Sequence, residues 1–168
     1  LGVPAPPARP AAQLGQLHGV RHTRASVHRA LGRAGVPHLF LKGAGTAETC
    51  WKGEGWRGCV DVDVLVHPRD ERVAMGALLV AGWHLAVPPG RAVSSRCSKE
   101  RLLLPGQPSA ERTAVDLHVA PLNHPFAADV DALLARAERV TAADSTTFPV
   151  PSPADALWLM AGNLAGDR

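Results

Sequence analysis

An α/β (α+β) fold, a small mixed sheet with helices packed against one face, is what this 168-residue sequence predicts. Three features carry the prediction. Short β-branched runs alternate with stretches of helical periodicity along the chain. Glycine and proline punctuate the junctions, with Gly35 and Gly82 as stops and Pro68 as a start. The run Cys59-Val-Asp-Val-Asp-Val-Leu-Val66 reads as a strand, hydrophobic on both sides of an acid pair.

The elements follow in chain order. Residues 1–12 form a Pro/Ala-rich lead-in with little to order it. From Ala12 to Ala34 the positions Leu14, Leu17, Val20, Val27, Leu31 and Ala34 keep helical spacing, and Gly35 ends it. His38-Leu-Phe-Leu-Lys42 is a short strand leading into the turn Gly43-Ala44-Gly45, which opens a second helix through Cys50. A Gly-punctuated loop at 52–58 precedes the acid-bearing strand at 59–67. Pro68 suits a first helical position, and Asp70 and Glu71 favour the positive end of that helix, which runs to Ala81. Strands are expected at 83–87, 99–104 and 113–119, and a helix at 127–138. Ser152-Pro153-Ala-Asp155 then supplies an N-cap, a first-turn proline and a first-turn acid for a last helix to about Leu164.

Composition narrows the function. Apolar content of 46% and charged content of 20% describe a folded domain. A net charge of +3 makes no demand for a nucleic-acid partner. Only Lys42, Lys52 and Lys99 are lysines among the 18 basic side chains, an arginine bias that weakens the reading of any single Arg. Cys50, Cys59 and Cys97 lack zinc spacing and are odd in number, so a reducing, cytoplasmic compartment is expected. No apolar run is long enough to span a membrane, and no secretory leader is evident.

The chemistry concentrates in the acid pair. Side chains alternate along a strand, so Asp61 and Asp63 share one face, about 6–7 Å apart, while Val60, Val62 and Val64 take the other. Two carboxylates on so apolar a segment repel and lose solvation unless a cation lies between them, and hard oxygen donors suit Mg²⁺ or Mn²⁺. The plainer reading is the solvated face of an edge strand. A later strand, Thr113-Ala-Val-Asp-Leu-His-Val119, brings Asp116 as a third ligand, or as an ordinary surface acid. His118 shares the face of Asp116 and reads more strongly as a hydrogen-bonded structural histidine.

Leu-Phe-Leu-Lys42-Gly43, Arg57, Asp61-Val-Asp63-Val-Leu-Val, Gly82-Trp83, Val-Asp116-Leu-His118 and the Pro-Ser-Pro start at 151–153 occur in an order that resembles the uncharacterised nucleotidyltransferase family of the DNA polymerase β-like superfamily. The resemblance covers about residues 36–165. It departs from the wider superfamily in having Lys42-Gly43 where Gly-Gly or Gly-Ser is common. It implies a minimal nucleotidyltransferase fold at 13–150, with 151–168 starting a helical region that similar proteins continue. It implies metal-dependent transfer of a nucleoside monophosphate from an NTP to an unidentified acceptor. Asp61, Asp63 and Asp116 would be catalytic and metal-binding, with two ions stabilising the attacking and leaving oxygens. Lys42, Gly43, Ala44 and Arg57 would face the triphosphate, the two backbone N–H groups acting at a helix start. Removing Asp63 would relieve a like-charge repulsion and leave the fold intact or slightly more stable. Trp51, Trp56 and Trp83 stand as core or base-stacking residues, and His67, His84, His124 and the cysteines as structural or surface ones. Two rival readings are a nucleotide-sugar glycosyltransferase, which also uses Asp-x-Asp, and a degenerate module that binds nucleotide or a partner without turnover.

Overall fold

The computed structural model describes residues 11–45, 59–86, 100–107, 112–121, 128–142 and 144–166, with helix α1 at Ala11–Arg33 and strands β1 at His38–Phe40 and β2 at Asp61–Val66. A single 3₁₀ turn, Pro68–Asp70, leads into α2 at Glu71–Val80. Strands β3 (Trp83–Leu85), β4 (Glu100–Pro105) and β5 (Ala114–His118) follow, then α3 (Val130–Ala135), β6 (Glu138–Thr141), β7 (Thr147–Val150) and α4 (Pro153–Gly166).

Five strands form one mixed sheet in the order β1-β2-β5-β4-β3, and β6 and β7 pair separately. The acid-bearing strand is therefore interior, antiparallel to β1 on one side and parallel to β5 on the other. That disposes of the edge-strand reading.

Alternation along β2 sorts its side chains into two layers. Val62, Val64 and Val66 enter a core with Val20, Val27 and Leu31 of α1, Ala74 and Leu78 of α2, Val115 and Leu117 of β5, and Phe148 and Val150 of β7. On the opposite face Leu65 joins Leu39 and Leu41 beneath Val130 and Leu133 of α3 and Leu159 of α4. Helices therefore lie against both faces, not one. On the second face this apolar cover is built on the β1 and β2 end, and the acids of β2 lie on the same face.

The helix ends obey local chemistry. Gly35 and Gly82 have positive φ, +68° and +94°, where a side chain would be strained. Ser152 and Asp155 form a reciprocal start for α4: the Asp155 backbone N–H donates to Ser152 Oγ at 3.2 Å, and that hydroxyl donates to Asp155 Oδ2 at 2.7 Å.

Two expectations fail beside that start. The helix placed at 127–138 is only α3, Val130–Ala135, because the chain turns at Arg136, whose guanidinium grips Asp155 through Nε (3.1 Å) and Nη2 (2.8 Å). The hairpin β6–β7 was not foreseen. Pro149 argues against a strand, yet a proline is tolerated in a two-stranded ribbon, where each strand has one paired edge.

The second helix opens at Lys42, and residues 42–45 are helical. Its continuation to Cys50, the 52–58 loop and the first ten residues of the lead-in lie outside the described residues. Among the described residues no helix is long and apolar enough to cross a membrane.

Candidate active site

The parallel pairing of β2 with β5 sets Asp63 opposite Asp116 and Leu65 opposite His118, so these side chains emerge on one face. Asp63, Asp116 and His118 each offer a ligand atom, and the three atoms lie within 4.8 Å of one another. Asp63 is the centre. His118 Nε2 lies 2.9 Å and Lys42 Nζ 2.8 Å from the same oxygen, Asp63 Oδ1. On the far side of its ring, His118 Nδ1 is 3.6 Å from Glu100 Oε2.

Electrostatics separates the three acids. Asp63 is almost fully buried, which by itself raises its pKa, but the hydrogen bonds from His118 and Lys42 outweigh burial and hold it below the ordinary carboxylate range. Asp61 goes up, through burial and the Asp63 charge. Asp116 also goes up, through burial and the charges of Asp63 and Asp61. Asp61 feels the Asp63 charge from the same face of β2 but is not part of the tight cluster. Two acids pushed up around one held down form a place where added positive charge is favourable. The donor set of carboxylate oxygens with one imidazole fits a divalent cation.

The turn after β1 presses against this cluster. Leu41 N–H donates to Asp63 O at 3.0 Å, tying the end of β1 to the acid strand. Lys42 has φ +45°, a left-handed conformation that costs a non-glycine residue about 1–2 kcal/mol. Its ammonium rests on Asp63 at 2.8 Å, with 47% of the side chain still exposed.

Gly43 and Gly45 are required by close approach, not by φ. A Cβ on Gly43 would lie 2.7 Å from Cys59 Cβ, and one on Gly45 would lie 2.1 Å from the Phe40 carbonyl oxygen. Ala44 is buried, and its carbonyl accepts from Arg24 Nη1 at 3.1 Å. Burial and the nearby Asp61 charge push the Cys59 thiol up to about 11, which keeps it protonated and unreactive.

The structure therefore brings Asp63 and Asp116 together, with Asp61 on the same face and the Lys42-Gly43-Ala44 turn alongside. Arg57 lies outside the described residues, as do Trp51, Trp56 and His124. Trp83 is a core residue and His84 is exposed, while His67 caps the 3₁₀ turn by accepting from Arg69 N.

Sequence reasoning missed two contributors. His118 is hydrogen-bonded, as expected, but its partner is the central carboxylate itself. Arg24 on α1 carried no visible signal. Its fully buried guanidinium stacks 3.8 Å over the Phe148 ring and fastens the Ala44 carbonyl, a link of 20 residues that no local pattern encodes.

The family described as "Uncharacterised nucleotidyltransferase" matches the sequence over residues 14–168. Among solved structures, the lincomycin-bound lincosamide antibiotic adenylyltransferase LnuA is similar at TM-score 0.53 and 13% identity, covering 77% of this chain and 78% of that one. The solution structure of the antibiotic-resistance factor ANT(2'')-Ia is similar at TM-score 0.51 and 13% identity, covering 85% and 70%. At such identities the likeness is one of fold. No curated protein matches the sequence.

Proposed function

Because the chain belongs to the uncharacterised nucleotidyltransferase family, we propose that it moves a nucleoside monophosphate from an NTP to an acceptor hydroxyl, phosphate or amine, with Mg²⁺ or Mn²⁺ held by Asp61, Asp63 and Asp116. The observation that carries this reading is the register of two parallel strands, which sets Asp116 opposite Asp63. A surface acid on an unrelated strand has no reason to join a buried carboxylate already held by a lysine and a histidine.

In the reaction the acceptor oxygen or nitrogen forms a bond to the α-phosphorus. The bond from that phosphorus to the bridging oxygen breaks, pyrophosphate leaves, and the acceptor's proton passes to solvent or a carboxylate. A bound divalent ion supplies charge neutralisation for the triphosphate and the leaving group. The protein's own part is placement. Asp116, on the open side of Asp63, orients the acceptor. The backbone N–H groups of Gly43 and Ala44 face the phosphates, in a turn whose lack of a Cβ at Gly43 lets it pack against Cys59. Lys42 is anchored by Asp63 near the path of the triphosphate, and Arg57 provides a second cation. His118 keeps Asp63 ionised and oriented.

A glycosyltransferase is set aside by the family match. The experiment is a screen of the purified protein against the four NTPs with Mg²⁺ or Mn²⁺, reading pyrophosphate. Release from at least one NTP, abolished by EDTA and by Asp63→Ala, is the expected result. No release, together with nucleotide binding indifferent to metal, would leave a non-catalytic binding module.

A further inference from the structure

The open half of the sheet continues past the carboxylates onto β4, and its composition there is wrong for a solvated face. β4 pairs antiparallel with β5, placing Leu102 opposite Asp116 and Glu100 opposite His118. Directly opposed residues of an antiparallel pair point to the same side, with Cβ atoms about 4.5–5.5 Å apart. Leu103, the residue between, faces the other way and is fully buried in the core with Val115 and Trp83. Leu102 and Leu104 thus share the carboxylate face, where they are 42% and 37% exposed. One strand further, His84 pairs with Leu104 and is exposed as well. Among the described residues the apolar cover on this face is built from α3 and α4 over Leu39, Leu41 and Leu65, at the β1 and β2 end, and neither leucine of β4 belongs to it.

A strand with one core face and one wet face ordinarily alternates apolar and polar residues. β4 does so at Glu100, then breaks the pattern twice, at the positions beside and beyond Asp116. Two half-exposed leucines continuous with a charged site put apolar surface beside a few placed polar groups, the composition of a ligand-binding surface. The triphosphate is assigned to the opposite flank, by the Lys42-Gly43-Ala44 turn that follows β1. The flank lined by Leu102 and Leu104 is therefore left to the acceptor.

We propose that Leu102 and Leu104 form the floor of the acceptor subsite, and that the acceptor is a small molecule with an aliphatic or aromatic portion lying along β4 and its nucleophilic group at Asp116. The inference rests on the nucleotidyltransferase reading above and deepens it. The two leucines are two residues apart on one strand, about 7 Å, the length of a chain of five or six carbons or of a single ring with a short arm.

Primary alcohols of increasing length are the probes: ethanol, butanol and hexanol, titrated into protein with methyl-labelled leucines, Mg²⁺ and a non-hydrolysable NTP, with Mn²⁺ replacing Mg²⁺ only in the samples where line broadening is read. The expected result is that the methyl signals of Leu102 and Leu104 move while Leu103 stays still. Affinity should rise by about twofold or more per added CH₂, less than the roughly fourfold of complete burial. Mn²⁺ should broaden the hydroxyl-bearing carbon more than the far methyl. Leu102→Ser and Leu104→Ser should flatten the dependence on length without altering nucleotide affinity, the unchanged Leu103 signals showing that the sheet is intact. The proposal is overturned if hexanol leaves the two leucines unmoved, or if the serine variants bind it as well as the wild type. It is overturned equally if those methyls shift with protein concentration alone, which makes the face a contact between copies. Failure of the underlying reading looks different: Mn²⁺ then fails to broaden His118, whatever the alcohols do.

Discussion

Val62, Val64 and Val66 on one face of β2 have no exposed surface and share a core with Val27, Leu78 and Phe148, whereas Asp61 and Asp63 on the other face meet charges. The valine face is held by many small, interchangeable contacts, so any residue of similar shape keeps it. The acid face depends on particular atoms: one carboxylate oxygen holds both a lysine and a histidine, and two neighbouring acids are lifted by burial and by its charge. From Asp61 to Val64 the strand separates packing from charge by parity of residue number, and only at Leu65 does the acid face become apolar, under α3 and α4. Each prediction below presses on that separation.

The largest effect is expected from Val64→Asp, which puts an unpaired charge into the core. It should cost about 4 kcal/mol or more and leave little folded protein by circular dichroism. A folded, active Val64→Asp would mean that the valine face is not the core.

Asp63→Ala comes next, with nucleotidyl transfer lowered on the order of 10³-fold, or about 4 kcal/mol in the barrier. The idea that this substitution relieves repulsion and stabilises the protein does not survive the geometry. Asp63 is the shared partner of Lys42 and His118, so its loss should cost about 1–3 kcal/mol in urea unfolding. Activity that merely tracked the folded fraction would make Asp63 structural.

Asp116→Asn should lower transfer by about 10²-fold, roughly 2.7 kcal/mol, while NTP affinity stays within a few-fold, because the contact serves the acceptor in the transition state. Equal losses in nucleotide binding and turnover would move Asp116 to the phosphate side.

A smaller effect lies away from the site. Buried His38 accepts a hydrogen bond from His28 at 2.8 Å and donates to Val36 O at 2.9 Å. Burial holds its pKa down at about 4, outweighing the Val36 bond that raises it. A folded pKa below the unfolded value of about 6.5 means that the unfolded chain takes up the proton first. This contribution is whole above pH 6.5 and is lost as the pH falls toward 4. Between pH 7 and 4.5 the wild type should lose about 2–3 kcal/mol more stability than His38→Leu, read by urea unfolding at both pH values. Equal losses would show that the imidazole does not stay neutral.

Much of this was legible because it is local or strictly periodic. The parity of Asp61 and Asp63, the span of α1, the proline start before α2 and the Ser152–Asp155 cap each follow from neighbours within one turn or one pleat. What was hidden depends on partners far along the chain. The partner that makes His118 part of the site is 55 residues away, and that of Arg24 is 20 residues away. α3 stops where Arg136 reaches Asp155, 19 residues on, and the β6–β7 pairing overrides the usual meaning of Pro149. The apolar character of Leu102 and Leu104 was visible, but its importance depends on the pairing of β4 with β5, which no spacing reveals.

The central claim is that the acid face of β2 binds a divalent ion together with a nucleotide. Calorimetric titration of a non-hydrolysable NTP, with and without Mn²⁺, into the wild type and Asp63→Ala tests it most directly. The account predicts that Mn²⁺ tightens nucleotide binding to the wild type by at least about tenfold, since the triphosphate completes the ion's oxygen shell, and that the gain disappears in Asp63→Ala. Nucleotide binding that is the same with and without Mn²⁺, in both proteins, would contradict it.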